Sequence, residues 1–275
     1  MAAPDPAPEP DEPAVAAAPD DRPPRQPAGP AITLISIWSW FVFGVCALIW
    51  LPLMAITLVV TYPFDRGRYA VGYLFRRLPV VHEKLNPLWH FRVSGELPAH
   101  PRNPYVVVSN HESFVDILLI SHLPWEMKWL SKKELFKIPV AGWAMYLAGD
   151  VQLERGDRSS AQKAMDACRV WLDRRVSVMI FPEGTRAADG QLGQFKDGAF
   201  RLAVETQLPI LPLAVNGTKE ALRKHDWRFG RATAEVHVLA PVPTEGLTLD
   251  DVPELKERVR AMILEQRDLM KAAAG

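Results

Sequence analysis

The sequence predicts an α/β fold, a mixed and largely parallel sheet flanked by helices, with an N-terminal membrane-embedded helical segment. Three observations carry that prediction. No charged residue occurs from Gln26 through Phe64. From about residue 80 onward, short apolar runs of strand length alternate with stretches of helical periodicity. Elements alternating in this way imply a sheet covered on both faces.

The first 30 residues contain ten prolines and six acids against two arginines, and almost no large apolar side chain. They cannot bury enough surface to offset chain entropy, so residues 1–30 read as a disordered tail. Their polar length also differs from a secretory leader, whose apolar region follows closely on a basic start. Residues 31–64 read as the membrane-embedded unit. Within them, Ala31 to Tyr62 is AITLISIWSWFVFGVCALIWLPLMAITLVVTY, longer than the roughly 20 apolar residues that cross a bilayer core as helix. Pro52 lies inside the run and lacks the amide donor a helix needs. Two forms stay open: one tilted spanning helix, or two shorter helices in a hairpin within one leaflet. Arg66, Arg68, Arg76 and Arg77 follow the run, against Arg22 and Arg25 before it. That bias places residues 65–275 as a cytoplasmic domain at the inner (cytoplasmic) membrane.

Within that domain, strands are predicted near Phe91–Ser94, Tyr105–Ser109, Val151–Leu153, Val176–Phe181, Ile210–Val215 and Glu235–Leu239. Helices are predicted over Ser113–His122, Ser159–Arg175, Asp197–Gln207 and Pro253–Met270. The last carries Leu255, Val259, Met262, Ile263 and Leu269 at helical spacing, the stripe of a core-facing helix. Net charge is zero, but outside the first 30 residues the chain carries 30 basic and 26 acidic residues, net +4. Such an excess suits an anionic membrane surface or a phosphorylated substrate and is too weak for nucleic acid. Cys46 and Cys168 give no disulfide framework and read as free thiols of a reducing compartment. His111-Glu112 begins like a zinc-binding helix, but position 115 is Val where a second His would stand, so no metal site is expected.

The chemistry-bearing residues stand where strands end. Tyr105 to Ile117 reads YVVVSNHESFVDI: a strand runs into His111, and Asp116 follows five positions on. In one helix that spacing would point the two about 140° apart. A loop His can instead fold back onto an Asp in the first helical turns, which fixes the tautomer and leaves the other nitrogen as a base. Ser113-Phe-Val-Asp116 reads equally as a capping box. The second strand end is Val176–Phe181 followed by Pro182-Glu183-Gly184-Thr185-Arg186. Gly184 permits close backbone approach, and the planar fork of Arg186 suits a phosphate. Glu183 and Arg186 could also simply pair with each other. Ligands of open α/β sheets bind beyond the carboxyl ends of strands, so both motifs can share one cleft. Ser131-Lys132-Lys133-Glu134 and Gly149 to Arg155 add cations near the same ends.

Four blocks, NHESFVD, GDVQLER, FPEGTR and LPILPLA, stand in the order and spacing of the glycerolipid acyltransferases. Over roughly residues 80–245 the chain resembles the 1-acylglycerol-3-phosphate acyltransferases, the PlsC-like enzymes, and the hydrophobic N-terminal segment fits them too. The family's central Phe-Ile in the second block is Gln152-Leu153 here. The resemblance implies transfer of an acyl group from acyl-CoA or acyl carrier protein to the free hydroxyl of lysophosphatidic acid. It implies Arg155, Glu183, Gly184, Thr185 and Arg186, with Lys132, as the residues that hold the acceptor; whether the family's phosphate-binding lysine is Lys132 or Lys133 stays open. There is no G-x-S-x-G elbow, and neither Cys is near the motifs, so a direct transfer with His111 as base and Asp116 as its orienter is expected. Backbone donors near Gly184 are candidate oxyanion stabilisers. No cofactor is expected beyond the acyl thioester as co-substrate. The expected partners are the bilayer, a lipid acceptor and acyl-CoA or acyl carrier protein, with no nucleic acid. Another lyso-lipid acceptor, such as lyso-ornithine lipid or a lysophospholipid, or a thioester hydrolase, remains an alternative.

Overall fold

A computed structural model describes residues 29–100, 102–185, 191–222 and 226–274. Of the tail expected over residues 1–30, all but Gly29 and Pro30 lies outside the described residues. Pro30 opens α1 (Pro30–Thr61), a helix of 32 residues that is long and apolar enough to cross a membrane. It runs through Pro52 without interruption, so of the two forms left open the chain takes one helix and not the two-helix hairpin. Pro52 costs this helix a backbone hydrogen bond, but packing around it holds the two halves together: Met54 is fully buried against Val71, Ala144 and Ala148. The chain reverses at residues 62–68 instead, and α2 (Tyr69–Lys84) returns antiparallel beside α1. Met54 packs near Val71, Trp50 Nε1 donates to Leu74 O at 2.8 Å, and Cys46 packs on Leu78.

After these helices come β1 (Trp89–Gly95), β2 (Val106–Ser109), α3 (Val115–Ile120), β3 (Met127–Lys132), α4 (Ala141–Ala148), β4 (Val151–Leu153) and α5 (Arg158–Asp173). They are followed by β5 (Ser177–Ile180), α6 (Gly198–Thr206), β6 (Ile210–Asn216), β7 (Ala232–Val238) and α7 (Val252–Ala274). The described residues form one seven-stranded sheet of order β1-β7-β6-β2-β5-β3-β4. All neighbours are parallel except β6 and β7. The sheet is therefore mixed and largely parallel. The sequence prediction lacked α2, β3 and α4; Lys128 in β3 and Pro79 in α2 interrupt the apolar patterns that would have marked them.

Side chains alternate across the sheet with period two. Val106, Val108, Val178, Ile180 and Ile210 pack on one face with residues of α5, α6 and α7, among them Cys168, Phe200 and Val259. Val107, Met179, Leu211 and Leu213 pack on the other with Leu119 and Ile120 of α3. With both faces covered, only the strand ends of the centre are open, and the carboxyl ends of β2, β5 and β6 lie side by side. α1 is tied to this body along one side. Ser36 Oγ accepts from Phe229 N at 3.0 Å, and Trp40 Nε1 donates to Trp227 O at 2.8 Å. Its other side exposes Leu34, Phe41, Leu48, Val59 and Val60.

Candidate active site

The site begins with Asn110, the residue after β2. Its buried carboxamide bridges to β6, accepting from Val215 N at 2.8 Å and donating to Val215 O at 2.9 Å. This side chain closes the ladder in place of backbone, and His111 is the next residue out. His111 Nδ1 lies 2.7 Å from Asp116 Oδ2. The same oxygen accepts the amides of Glu112 at 2.7 Å and Ser113 at 2.9 Å, and Oδ1 accepts the hydroxyl of Thr218. Asp116 is fully buried. One carboxylate thus holds the imidazole and also supplies the Asp116 half of a capping box. The capping box is only half formed, since Ser113 Oγ accepts from Val115 N at 3.3 Å. With Nδ1–H directed at Asp116, the neutral ring presents Nε2 as its unprotonated nitrogen. The ring stacks on Phe181 with centroids 4.0 Å apart, which fixes its plane.

Glu183 is placed differently from the sequence expectation. Its Oε1 accepts from His111 N at 2.7 Å and its Oε2 from Gly193 N at 2.9 Å. Each oxygen holds a backbone amide and the residue is buried, so it braces the His111 loop. Burial raises its pKa, and the two amides and His111 oppose that. Gly184 has φ +71°, a conformation that favours glycine. Its own amide donates to Phe181 O at 3.1 Å, closing the turn, which removes it as an oxyanion donor. The missing side chain leaves room for Lys196, whose Nζ would lie 3.3 Å from a Cβ added there.

Thr185 is exposed at the lip of the same turn, and Arg186 lies outside the described residues. The structure does not bring Lys132 and Arg155 into contact with His111. Lys132 ends β3 and Arg155 follows β4, two and three strands from β2, or about 10 and 14 Å at ordinary strand spacing. Lys132 Nζ is 3.6 Å from Glu134, and Lys133 pairs with Glu154 at 2.5 Å. His111, Asp116 and Glu183 therefore form the inner group, and the cations form a flank. Sequence reasoning missed Thr218, Phe181, Gly193 and Lys196. Thr218 could have been found by applying the strand-end rule to β6, whose last residue is Asn216.

Two hollows lie nearby. One of about 670 Å³ sits at the β4–α5 edge, lined by Lys133, Asp157, Lys163 and Trp171, and includes no residue of the His111 group. The other, of about 560 Å³, is bounded by α1, α2, α3 and α4 and is almost wholly apolar, with Trp50, Phe75, Phe114, Leu118, Trp129 and Val140 in its wall. Phe114 and Val115 connect it directly to the turn that carries Asp116. This second hollow has the size and lining of a ligand site.

Glu112 is the remaining ionisable group of the loop. Burial and the Asp116 carboxylate push its pKa up to about 7, opposed by Arg267, Lys271 and Lys219. A carboxyl with a raised pKa stabilises the fold fully below its unfolded value of 4.5, and that contribution is lost as pH rises through about 7. Glu112→Gln, which stays neutral, is therefore expected to raise the thermal midpoint more at pH 8 than at pH 5. Thermal melts of both proteins at the two pH values measure this, and an equal or inverted shift would remove the argument.

The sheet presents a carboxylate-held imidazole at its central strand ends, and residues 90–216, which carry it, match the Acyltransferase family. The chain is 39% identical over 219 residues to the human 1-acyl-sn-glycerol-3-phosphate acyltransferase alpha, covering 78% of this chain and 76% of the human one. It is 32% identical over 263 residues to the chloroplastic 1-acyl-sn-glycerol-3-phosphate acyltransferase LPAT1 of Arabidopsis thaliana, covering 92% and 70%. This chain belongs to the 1-acyl-sn-glycerol-3-phosphate acyltransferase family. Its fold is that of the crystal structure of the 1-acyl-sn-glycerophosphate acyltransferase PlsC from Thermotoga maritima, with a TM-score of 0.73, 24% identity and coverage of 88% of this chain and 97% of that one.

Proposed function

We propose that this enzyme moves a fatty acyl group from an acyl thioester, of coenzyme A or an acyl carrier protein, to the free hydroxyl of lysophosphatidic acid, giving phosphatidic acid. The observation that carries the reading is the 2.7 Å contact of His111 with Asp116, in a chain whose relatives are named for that acceptor. His111 Nε2 takes the hydroxyl proton as the acceptor oxygen attacks the thioester carbonyl carbon. A C–O bond forms and the carbonyl electron pair moves onto oxygen. The intermediate then collapses, the C–S bond breaks, and the departing thiolate takes the proton from the imidazolium. Asp116 holds the ring and stabilises its charged state, and Glu183 holds the backbone of His111. Lys132, Arg155 and Arg186 hold the acceptor's phosphate, with Thr185 at the lip. No further cofactor is needed.

Membrane attachment through α1 follows from the same reading, because acceptor and product are lipids. The docked side of α1 extends from Ser36 to Met54, so a helix crossing the bilayer would carry the attached domain into it. We therefore assign α1 to one leaflet of the inner membrane, its exposed apolar side in lipid and the catalytic domain in the cytoplasm. The hollow behind Phe114 then opens between lipid and His111 and takes the acyl chain.

Incubating membranes that contain the protein with labelled acyl-CoA or acyl carrier protein and a panel of lyso-acceptors tests the reading. Labelled phosphatidic acid is the expected product. Labelled lyso-ornithine lipid or lysophospholipid products in its place would overturn the acceptor assignment, and free fatty acid as the main product would make the protein a hydrolase.

A further inference from the structure

The imidazole of His111 rests on an aromatic ring to which the transfer steps assign no part. Phe181 follows β5, and its ring lies against that of His111 with centroids 4.0 Å apart and planes 18° from parallel. The stack covers one face of the imidazole and leaves its edge, with Nε2, free in the plane. It also sets His111 over the negative face of a phenyl quadrupole. A neutral imidazole gains little there beyond contact. An imidazolium at that distance is attracted electrostatically, the more so where water is kept away. Phe181 therefore favours the form of His111 that exists only after the proton has moved, which is what lowers a barrier rather than a binding energy.

Phe181 is itself held. Trp129 of β3 pairs in the sheet with Met179, two residues before Phe181, so the two rings fall on one face. Trp129 is 2% exposed, and its ring stands 6.0 Å from that of Phe181 at a tilt of 51°. The guanidinium of Arg76 lies over Trp129 at 5.2 Å and is anchored in turn by Asp150 at 2.5 Å. A line of contacts thus runs from a buried ion pair of α2 through two aromatic rings to the imidazole.

We propose that Phe181 is a positioning residue of the acyl transfer: its face holds the His111 ring and stabilises the imidazolium formed when Nε2 takes the acceptor's proton, and Trp129 keeps Phe181 in place. This rests on the acyl-transfer reading above. The proton count is unchanged, since the proton that arrives from the hydroxyl leaves with the thiolate. The charged groups around the ring are Asp116 at Nδ1 and Glu183 at the backbone amide. Glu112 follows in the chain, and Lys219, Arg267 and Lys271 oppose the rise of its pKa. All of these stay when only position 181 is changed, so a difference between variants reports the ring face.

The test follows kcat/KM against pH, which reads the free enzyme's base, for transfer to lysophosphatidic acid from acyl-CoA or acyl carrier protein. It compares the wild-type full chain with Phe181→Leu, Phe181→Tyr and a chain carrying pentafluorophenylalanine at position 181, which keeps the ring's shape and reverses its quadrupole. Glu112, pushed up to about 7, titrates alike in all of them. The base works unprotonated and the ring face favours its protonated form. Phe181→Leu and the fluorinated ring are therefore expected to move the acid limb to lower pH, by about 0.7 unit for an attraction of about 1 kcal/mol. Plateau kcat is expected to fall about fivefold by the same free energy, while both KM values stay nearly constant. Phe181→Tyr, which keeps a π face, is expected to leave the limb in place. Trp129→Leu, which frees Phe181, is expected to move the limb in the same direction as Phe181→Leu, and an unmoved limb there would overturn the part given to Trp129. A lower plateau with an unmoved limb in the fluorinated protein would reduce Phe181 to packing and overturn the inference. A shift to higher pH, or a shift in Phe181→Tyr as large as in Phe181→Leu, would do the same. If Phe181→Leu fails to fold, the fluorinated ring, which fills the same space, decides the matter alone. No transfer by the wild type with either donor would overturn the acyl-transfer reading and this inference with it, whereas an unmoved limb overturns this inference only.

Discussion

Replacing His111 by alanine is expected to lower the rate of acyl transfer by about 10³-fold, the middle of the range for loss of a general base, with the fold intact. The substitution removes a ring that is stacked on Phe181 and partly accessible, and it leaves the backbone amide that Glu183 accepts. Little of the fold depends on it. Asp116→Asn is expected to be inactive for a different reason and to be less stable as well. An asparagine can accept from the amides of Glu112 and Ser113 or present its NH₂, but it cannot replace a carboxylate that takes donors on both oxygens. Measuring turnover with a labelled acyl thioester, alongside circular dichroism and Tm, separates the two. Turnover of His111→Ala within tenfold of wild type would remove the imidazole from the mechanism. An Asp116→Asn protein as stable as His111→Ala would show that the cap contributes nothing.

What made this pair visible in the sequence was an abrupt change of character. Val106, Val107 and Val108 are all fully buried, and a run of that kind has no reason to end in Asn-His unless the chain emerges where a ligand can reach it. The five-residue spacing was interpretable because a helix starting at Val115 leaves His111 in the loop, able to turn back. The partners of the pair were hidden for an equally physical reason. Thr218 meets Asp116 across 102 residues of chain. That approach leaves no local pattern, because it depends on how β6 packs on the sheet. Glu183 is legible at its strand end, but its bracing contacts are not. Nothing in Pro-Glu-Gly-Thr shows that the amides of His111 and Gly193 will claim both carboxylate oxygens.

Two of the elements missed by sequence, β3 and α2, share one cause. β3 reads as an unpromising strand because Lys128 stands in it and Glu126 just before, and charged residues almost never lie fully buried unless paired. α2 reads poorly as a helix because Arg76, Arg77 and Pro79 break its apolar stripe. In the fold these exceptions explain one another. Arg76, on α2, meets the carboxylates of Glu126 and Asp150, and Lys128 meets Glu126. Local patterning failed where a buried polar cluster, rather than apolar contact, joins helix to sheet.

That cluster carries the largest expected effect on stability. Glu126 and Lys128 are both 0% exposed and 3.0 Å apart. Arg76 lies 2.5 Å from Asp150 and 3.6 Å from Glu126. Two cations and two anions balance, and backbone adds further contacts, although Arg76 Nε and Glu126 Oε2 find no hydrogen-bond partner. Lys128 Nζ donates to Arg68 O at 3.0 Å, and Asp150 accepts from Trp129 N at 3.1 Å. α2 approaches so closely that a Cβ on Gly72 would lie 1.9 Å from Glu126 Oε1. Lys128→Met keeps the volume but leaves a net buried negative charge, a change that costs about 3–5 kcal/mol. For a chain of this size that corresponds to a fall in Tm of about 10 °C. Adding Glu126→Gln restores neutrality around the remaining Arg76–Asp150 pair, so the double variant is expected to be more stable than Lys128→Met alone. Denaturant or thermal unfolding of the three proteins measures the difference. A double variant less stable than the single one would mean that the cluster is held by shape and hydrogen bonds rather than by charge balance, and α2 would then owe its docking to Gly72 and the apolar contacts beside it.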